Sequence, residues 1–245
     1  MLTAVALAVA CIPEGLPAVT AVTLAIGVSR MADQRAIVKR LASVETLGCT
    51  SVICSDKTGT LTLNEMTARD LVIQNRSHDV SGEGYAPIGE IERHDEDEQS
   101  IIHAALEVMA LCNDSAVHEE DGHWQLVGDP TEGALLALAL KAGLDAEQTL
   151  VRCLRLDAIA FESERQYMAT LHHDHEGHHL VLLKGAPERV LALCATQAGG
   201  QPLDLAHWYA AVARAAGVGE RVLALAQSRW DVSRHEIDVQ DMQGD

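Results

Sequence analysis

The run Cys54-Ser55-Asp56-Lys57-Thr58-Gly59-Thr60-Leu61-Thr62 follows the apolar stretch Thr50-Ser51-Val52-Ile53. This pattern predicts a short buried strand over 50–54 that delivers a carboxylate at its carboxyl end into a loop of small residues. Crevices at the carboxyl ends of strands are where open α/β sheets take ligands. A carboxylate placed there can attack a phosphoryl group. Asp56 is therefore the first candidate catalytic residue.

A second carboxylate stands alone in an apolar setting. From Met1 to Val28 the only charged residue is Glu14. A straight helix over that stretch would reach roughly 42 Å, more than a hydrocarbon core of about 30 Å requires. Arg30, Arg35, Lys39 and Arg40 follow it and no basic run precedes it, the opposite polarity to a secretory signal. The basic flank places the carboxyl end in the cytoplasm. Pro13 and Pro17 each remove a backbone donor and Gly15 loosens the turn between them, so the helix is expected to unwind between Ile12 and Leu16. The carbonyls of Val9, Ala10 and Ile12 then need partners, and with Glu14 they form a candidate site for a transported cation. A kinked helix with Glu14 snorkelling or protonated is the competing reading.

The run His172-His173-Asp174-His175-Glu176-Gly177-His178-His179 offers many metal-ligating groups. Asp174 to Gly177 also suits a hairpin turn, with flanking side chains alternating between faces. Both readings stay open on the sequence.

Composition narrows the function classes. The chain is 48% hydrophobic but only 3% aromatic, so aliphatic side chains must fill its core. A formal net charge of −18 argues against nucleic acid as a partner, since phosphate backbones are met with basic patches. Acidic residues gather at Glu90 to Glu98 and Glu119 to Asp121, which read as solvated loops. The six cysteines show no Cys-x-x-Cys pair and sit mainly among apolar neighbours, as in a reducing compartment.

Several elements are expected to position these groups. Helices are predicted over 36–47, 100–112, 129–142 (with Asp129 as cap and Pro130 in the first turn) and 203–216. Strands are predicted over 66–74, 158–171, 180–183 and 221–230, and Ser81 to Tyr85 reads as a glycine-rich turn.

The string Asp56-Lys57-Thr58-Gly59-Thr60-Leu61-Thr62 resembles the phosphorylation signature of the P-type ATPases. Ile12-Pro13-Glu14-Gly15-Leu16-Pro17 is similar to the broken transmembrane helix of their calcium-pump branch. Gly128-Asp129-Pro130-Thr131-Glu132 and Lys184-Gly185-Ala186-Pro187-Glu188 resemble the motifs of their nucleotide domain. Taken in this order, the four stretches cover nearly the whole chain.

The resemblance implies an α/β architecture in three parts. Residues 1–29 would form the broken transmembrane helix and 30–64 part of a haloacid-dehalogenase-like, Rossmannoid phosphorylation domain. Residues 65–245 would form an α+β nucleotide-binding domain with an antiparallel sheet. It implies ATP and Mg²⁺ as cofactors, with Asp56 as nucleophile, Lys57 and Thr58 beside it, and Mg²⁺ held by Asp56 and Thr58. Glu132, Phe161, Met168, Lys184, Gly185 and Arg221 would line the nucleotide pocket. Related phosphatases place a second aspartate where Thr58 stands, and threonine cannot activate water in the same way, so the aspartyl-phosphate should persist. Ser163 departs from the arginine some animal pumps carry there, with Arg165 close by.

The implied setting is a bacterial plasma membrane with the soluble lobes in the cytoplasm. Its partners would be lipid, the transported cation and further pump segments: other transmembrane helices, an actuator domain and the rest of the phosphorylation domain. The actuator is expected before Met1, and the hinge strand back into the phosphorylation domain after Gly244. This chain by itself is expected not to turn over ATP at a useful rate. Calcium is the favoured ion, with sodium, potassium and manganese open. A free-standing ATP-binding module is the alternative.

Overall fold

The computed structural model describes residues 15–242 except 75, 93, 94, 96 and 97. Glu14, Val9, Ala10 and Ile12, the candidate cation ligands, lie outside the described residues. The chain divides into two compact units, Met1–Leu61 and Thr62–Asp245.

In the first unit, helix α1 (Leu16–Asp33) begins directly after Gly15, with Pro17 in its first turn where a missing N–H costs nothing. The expected break between Ile12 and Leu16 falls largely outside the described residues. The helix stops in a left-handed turn: Arg35 has φ +62°, its N–H reaches Ala32 O at 2.9 Å, and Ala36 N–H reaches Met31 O at 2.9 Å. Its 18 residues have a mean hydropathy of 1.2 and none is buried. The Thr20 and Thr23 hydroxyls turn back onto helix carbonyls, Thr23 onto Val19 O at 2.8 Å, so neither needs an outside partner. Helix α2 (Ala42–Gly48) is shorter than the predicted 36–47. The turn at Arg35 consumes the start, and the β-branched pair Ile37-Val38 favours extended backbone.

The strand expected over 50–54 does not form. Val52 and Ile53 are 74% and 85% exposed, and among the described residues no strand pairs with this stretch. Isolated extended backbone gains nothing until its N–H and C=O groups meet a neighbour, so apolar character alone leaves it as coil. A turn follows, closed by Leu61 N–H on Lys57 O at 3.0 Å, with Gly59 at φ +71°.

The second unit opens with an antiparallel hairpin, β1 (Asp70–Ile73) and β2 (Arg76–Asp79). Helix α3 (Gln99–Leu111) follows. A second hairpin joins β3 (Ala116–Glu120) to β4 (His123–Val127) through Asp121-Gly122, both at positive φ. Two left-handed residues match the twist of the flanking strands, which is why Asp-Gly closes so tight a turn. Helices α4 (Pro130–Lys141) and α5 (Ala146–Arg152) complete the first layer. Leu106, Met109 and Ala110 of α3 meet Leu135, Leu138 and Ala139 of α4 in one core, joined by Leu71, Ile73 and Ile91.

The central sheet is antiparallel, in the order β5 (Cys153–Ile159), β6 (Tyr167–Asp174), β7 (His179–Gly185), β8 (Ala224–Trp230). Its two faces alternate along the strands. Met168 and Leu182 pack with Val108, Leu111 and Cys112 on the α3 side. Tyr167, Ala169, Leu171, Val181 and Leu183 pack on the other, against Val190 of helix α6 (Pro187–Ala192) and Ile237. Helix α7 (Leu205–Gly217) matches the predicted 203–216, capped by Asp204 on His207 N–H at 3.0 Å.

The single strand predicted over 158–171 is in fact the end of β5, a polar loop and the start of β6. Glu162 to Gln166 close the loop, with Gln166 at φ +62° and its N–H on Glu162 O at 2.7 Å. The histidine run is split by the turn it contains: His172 and His173 lie in β6, and Asp174 N–H bonds His178 O at 3.0 Å across the tip.

Candidate nucleotide site

Lys184 and Glu132 lie 52 positions apart in sequence and form an ion pair, with side chains only 8% and 16% exposed. Each is placed by a separate element. Lys184 sits near the end of β7 with Met168 and Leu225 as its cross-strand neighbours. Its apolar stem can pack on them while the ammonium reaches out. Glu132 sits in the first turn of α4, where the helix dipole favours a carboxylate.

The start of α4 is held from three directions. Asp129 caps it, its carboxylate accepting from Thr131 N–H at 2.8 Å and Glu132 N–H at 3.2 Å. Ser115 Oγ accepts from Asp129 N–H at 2.9 Å and donates to Glu132 Oε2 at 3.0 Å. Asp114 N–H donates to the same oxygen at 3.1 Å, and Asn113 Nδ2 donates to Glu132 O at 2.9 Å. Gly128 permits this closeness. At φ +128°, a Cβ there would lie 2.1 Å from Ser115 Oγ.

Glu132 thus accepts from Lys184, Asp114 and Ser115. A carboxylate offers about four acceptor positions, so roughly one remains for an outside donor. Burial pushes the Cys112 thiol above its ordinary range, although the Lys184 charge opposes the shift.

The other expected pocket residues distribute unevenly. Arg221 Nη1 donates to Thr131 Oγ1 at 3.1 Å, next to Glu132. Met168 is 1% exposed beneath Lys184. Gly185 follows Lys184 where β7 crowds β6: a Cβ would lie 2.4 Å from Gln166 O. Phe161 is 59% exposed on the loop after β5. Arg165 on that loop is engaged locally, with Glu162 at 2.7 Å and Ala160 O at 2.9 Å. Asp56, Lys57 and Thr58 lie on the exposed turn of the first unit.

Asn113, Asp114 and Ser115 were not singled out by sequence reasoning. The Asn-Asp-Ser run after an apolar helix is a loop signal, but nothing in it says which carboxylate it will hold.

The histidine run behaves as a hairpin. Asp174 Oδ1 accepts from Glu176 N–H at 2.9 Å and His178 N–H at 2.7 Å, and Oδ2 lies 3.0 Å from His178 Nδ1. Asp174, Glu176 and His178 come within 4.8 Å of one another, and these turn bonds account for the closeness. His172 is fully buried, its Nδ1 3.3 Å from Cys153 O, and burial pushes its pKa down to about 4.

An antiparallel sheet backed by helices thus carries a lysine–glutamate ion pair at its margin. Residues 101–243 match the family described as P-type ATPase, cytoplasmic domain N. The chain belongs to the P-type cation-transporting ATPases. It is 47% identical over 232 residues to a probable cation-transporting ATPase F of Mycobacterium tuberculosis, covering 90% of this chain and 25% of that one. It is 44% identical over 253 residues to the cation-transporting ATPase pma1 of Synechocystis, covering 98% and 28%. It is 44% identical over 236 residues to the human calcium-transporting ATPase type 2C member 1, covering 91% and 25%. The chain thus spans about a quarter of the length of the curated relatives it matches.

Proposed function

We propose that this chain supplies the ATP-binding lobe and the phosphorylated aspartate of a membrane cation pump, with calcium as the favoured ion. The observation that carries the reading is the buried Lys184–Glu132 pair, braced by Ser115 and Asp114 and flanked by Arg221 and Met168. Burying two charges is costly unless they are paired and further bonded. A pair kept at the margin of a sheet, with acceptor capacity left over, suits a polar ligand with an apolar face.

The residues fit ATP in kind. Glu132 would accept from the adenine amino group, and Lys184 and Met168 would bound the base. Phe161 offers an exposed aromatic face for stacking, and Arg221 a guanidinium for phosphate. Gly185 keeps the strand end free of a side chain. In the first unit, Asp56 and Thr58 supply oxygen donors of the type Mg²⁺ takes, and Mg²⁺ commonly binds through one or two carboxylates plus substrate phosphate. When bound, the ion would neutralise charge on the transferring phosphoryl group. An Asp56 carboxylate oxygen would attack the γ-phosphorus of ATP as its bond to the bridging oxygen breaks and ADP leaves; Lys57 would favour the negative charge, and Thr58 would leave the acyl phosphate unhydrolysed.

The division into a membrane helix (1–29), the start of a Rossmannoid phosphorylation domain (30–64) and a nucleotide domain (65–245) belongs to the same proposal. So do the cation site at Glu14, the lipid setting and the further pump segments. Apolar α1, none of whose residues is buried, supports the membrane assignment.

The test is equilibrium binding of ATP to the 245-residue chain in detergent, by displacement of a fluorescent trinitrophenyl-ATP. Lys184→Ala and Phe161→Ala should each weaken ATP by about tenfold or more, equivalent to about 1.4 kcal/mol. Unchanged affinity in both would reject the pocket. Detection of a hydroxylamine-sensitive label from [γ-³²P]ATP, absent in Asp56→Asn, would separate a pump piece from a binding module.

A further inference from the structure

We infer that Arg155, on edge strand β5, is a positioning residue that fixes the Glu132 carboxylate and thereby sets the preference for adenine over guanine. The inference rests on the nucleotide reading of Glu132 above.

Arg155 spreads its guanidinium over the loop that leaves α3. Nη2 donates to Leu111 O and to Asn113 O, both at 2.8 Å, and Nη1 donates to Asp114 Oδ1 at 2.5 Å. Leu111 is the last residue of α3, and helix ends leave carbonyls without intrahelical partners. Arg155 therefore closes the helix end and pins both sides of the Asn113–Asp114 peptide link. The N–H of Asp114 is the one that donates to Glu132 Oε2.

Strand β5 is shaped to deliver this contact. Its register with β6 shifts between Arg155 and Asp157, so Leu156 has no partner across the ladder. Such bulges re-aim the side chains beside them. Arginine's planar fork also matters, because one nitrogen serves two carbonyls while the other serves a carboxylate, a spread that the single point of a lysine ammonium does not reproduce.

The consequence falls on base choice. Adenine presents a donor at its six position and guanine presents a carbonyl oxygen. A carboxylate fixed with one acceptor position open takes the first and repels the second. A site built to hydrogen-bond one group rejects the analogue that lacks it, provided its own groups cannot rearrange. Releasing the Asn113–Ser115 loop removes that proviso.

The test measures ATP and GTP affinities on the 245-residue chain by displacement of trinitrophenyl-ATP, and takes their ratio. In Arg155→Ala the ratio should fall by about tenfold, with a smaller loss in affinity for a nucleotide-independent probe, inorganic triphosphate. Arg155→Lys should restore thermal stability but not the ratio. Glu132→Gln should lose the ratio by itself, and the double variant with Arg155→Ala should lose no more, since residues acting through one group are not additive. If Arg155→Ala fails to fold, Arg155→Lys carries the test. A ratio unchanged in the folded Arg155 variants, with Glu132→Gln still losing it, overturns the inference and leaves the nucleotide reading standing. An unmodified chain that binds ATP no better than GTP overturns both.

Discussion

The Asp56 turn and the Lys184–Glu132 pair are opposites in how sequence becomes geometry. Around Asp56 the chemistry is written in consecutive letters, yet every residue from Thr50 to Leu61 is exposed and the strand that should present the carboxylate is absent. Around Glu132 the letters are scattered over Asn113 to Ser115, Gly128 to Glu132, Arg155 and Lys184, yet hydrogen bonds hold them together. A motif whose partners are local can be read before it is folded. A site whose partners are distant becomes visible only when the fold brings them together.

The sharpest way to break this contrast is to remove one member of the buried pair. Lys184→Ala leaves the half-buried Glu132 without its cation, and breaking fully buried pairs costs about 3 to 5 kcal/mol. Asp114 N–H and Ser115 Oγ still serve Glu132, so the lower end is expected. The double variant Lys184→Met with Glu132→Gln should recover most of that stability in urea unfolding while leaving nucleotide binding lost. If Lys184→Ala unfolds at the same urea concentration as the parent, the pair contributes nothing and the contrast is wrong.

His172 supplies the next largest effect. Its pKa is near 4 when folded, against an ordinary value of 6.5. Between those values the unfolded chain binds a proton that the folded chain refuses. Stability is therefore untouched above about pH 6.5 and falls as pH drops toward 4, by roughly 3 kcal/mol in all. Urea midpoints measured across that range should show the loss, and His172→Leu should flatten it. A wild-type curve that is already flat would mean the site is wetter than its burial indicates.

How much of this was legible beforehand follows the same division. The cap at Asp129, the helices over 99–111, 130–141 and 205–217, and the last strand announce themselves through periodicity and capping residues. The hairpin around Asp121-Gly122 carries a plain turn signal, but the acidic run Glu119 to Asp121 reads as a solvated loop; Glu119 and Glu120 instead end β3, whose side chains are mostly exposed. The strand over 50–54 was predicted from apolar character alone, which specifies burial only when something is there to bury against. The glutamate–lysine pair was reached through resemblance, but its brace was not. Ser115 and Arg155 are ordinary polar residues until the fold sets them beside α4 and α3.

Gly185 tests the crowded side of the site. A methyl group there would meet Gln166 O at 2.4 Å and Tyr167 Cβ at 2.6 Å; Tyr167 pairs with Gly185 in the sheet, and Gln166 O is held by Ala186 N–H at 2.8 Å. Gly185→Ala should cost about 1 to 3 kcal/mol, the usual range for overpacking, read as a lower melting temperature. An unaffected melting temperature would show that β6 and β7 can part at this end, and that the glycine is there for a ligand alone.

The smallest effect belongs to the residue with the loudest motif. Asp56 is exposed, and substitutions at exposed positions without special contacts stay within about 0.5 kcal/mol. Asp56→Asn keeps the shape and removes only the charge, so it should leave both the urea midpoint and the ATP affinity unchanged. It should nevertheless abolish any covalent label from [γ-³²P]ATP, because an amide cannot attack phosphorus as a carboxylate does. A destabilised Asp56→Asn would place the carboxylate in a network like that around Glu132, and the two regions would then differ only in how far apart their letters lie.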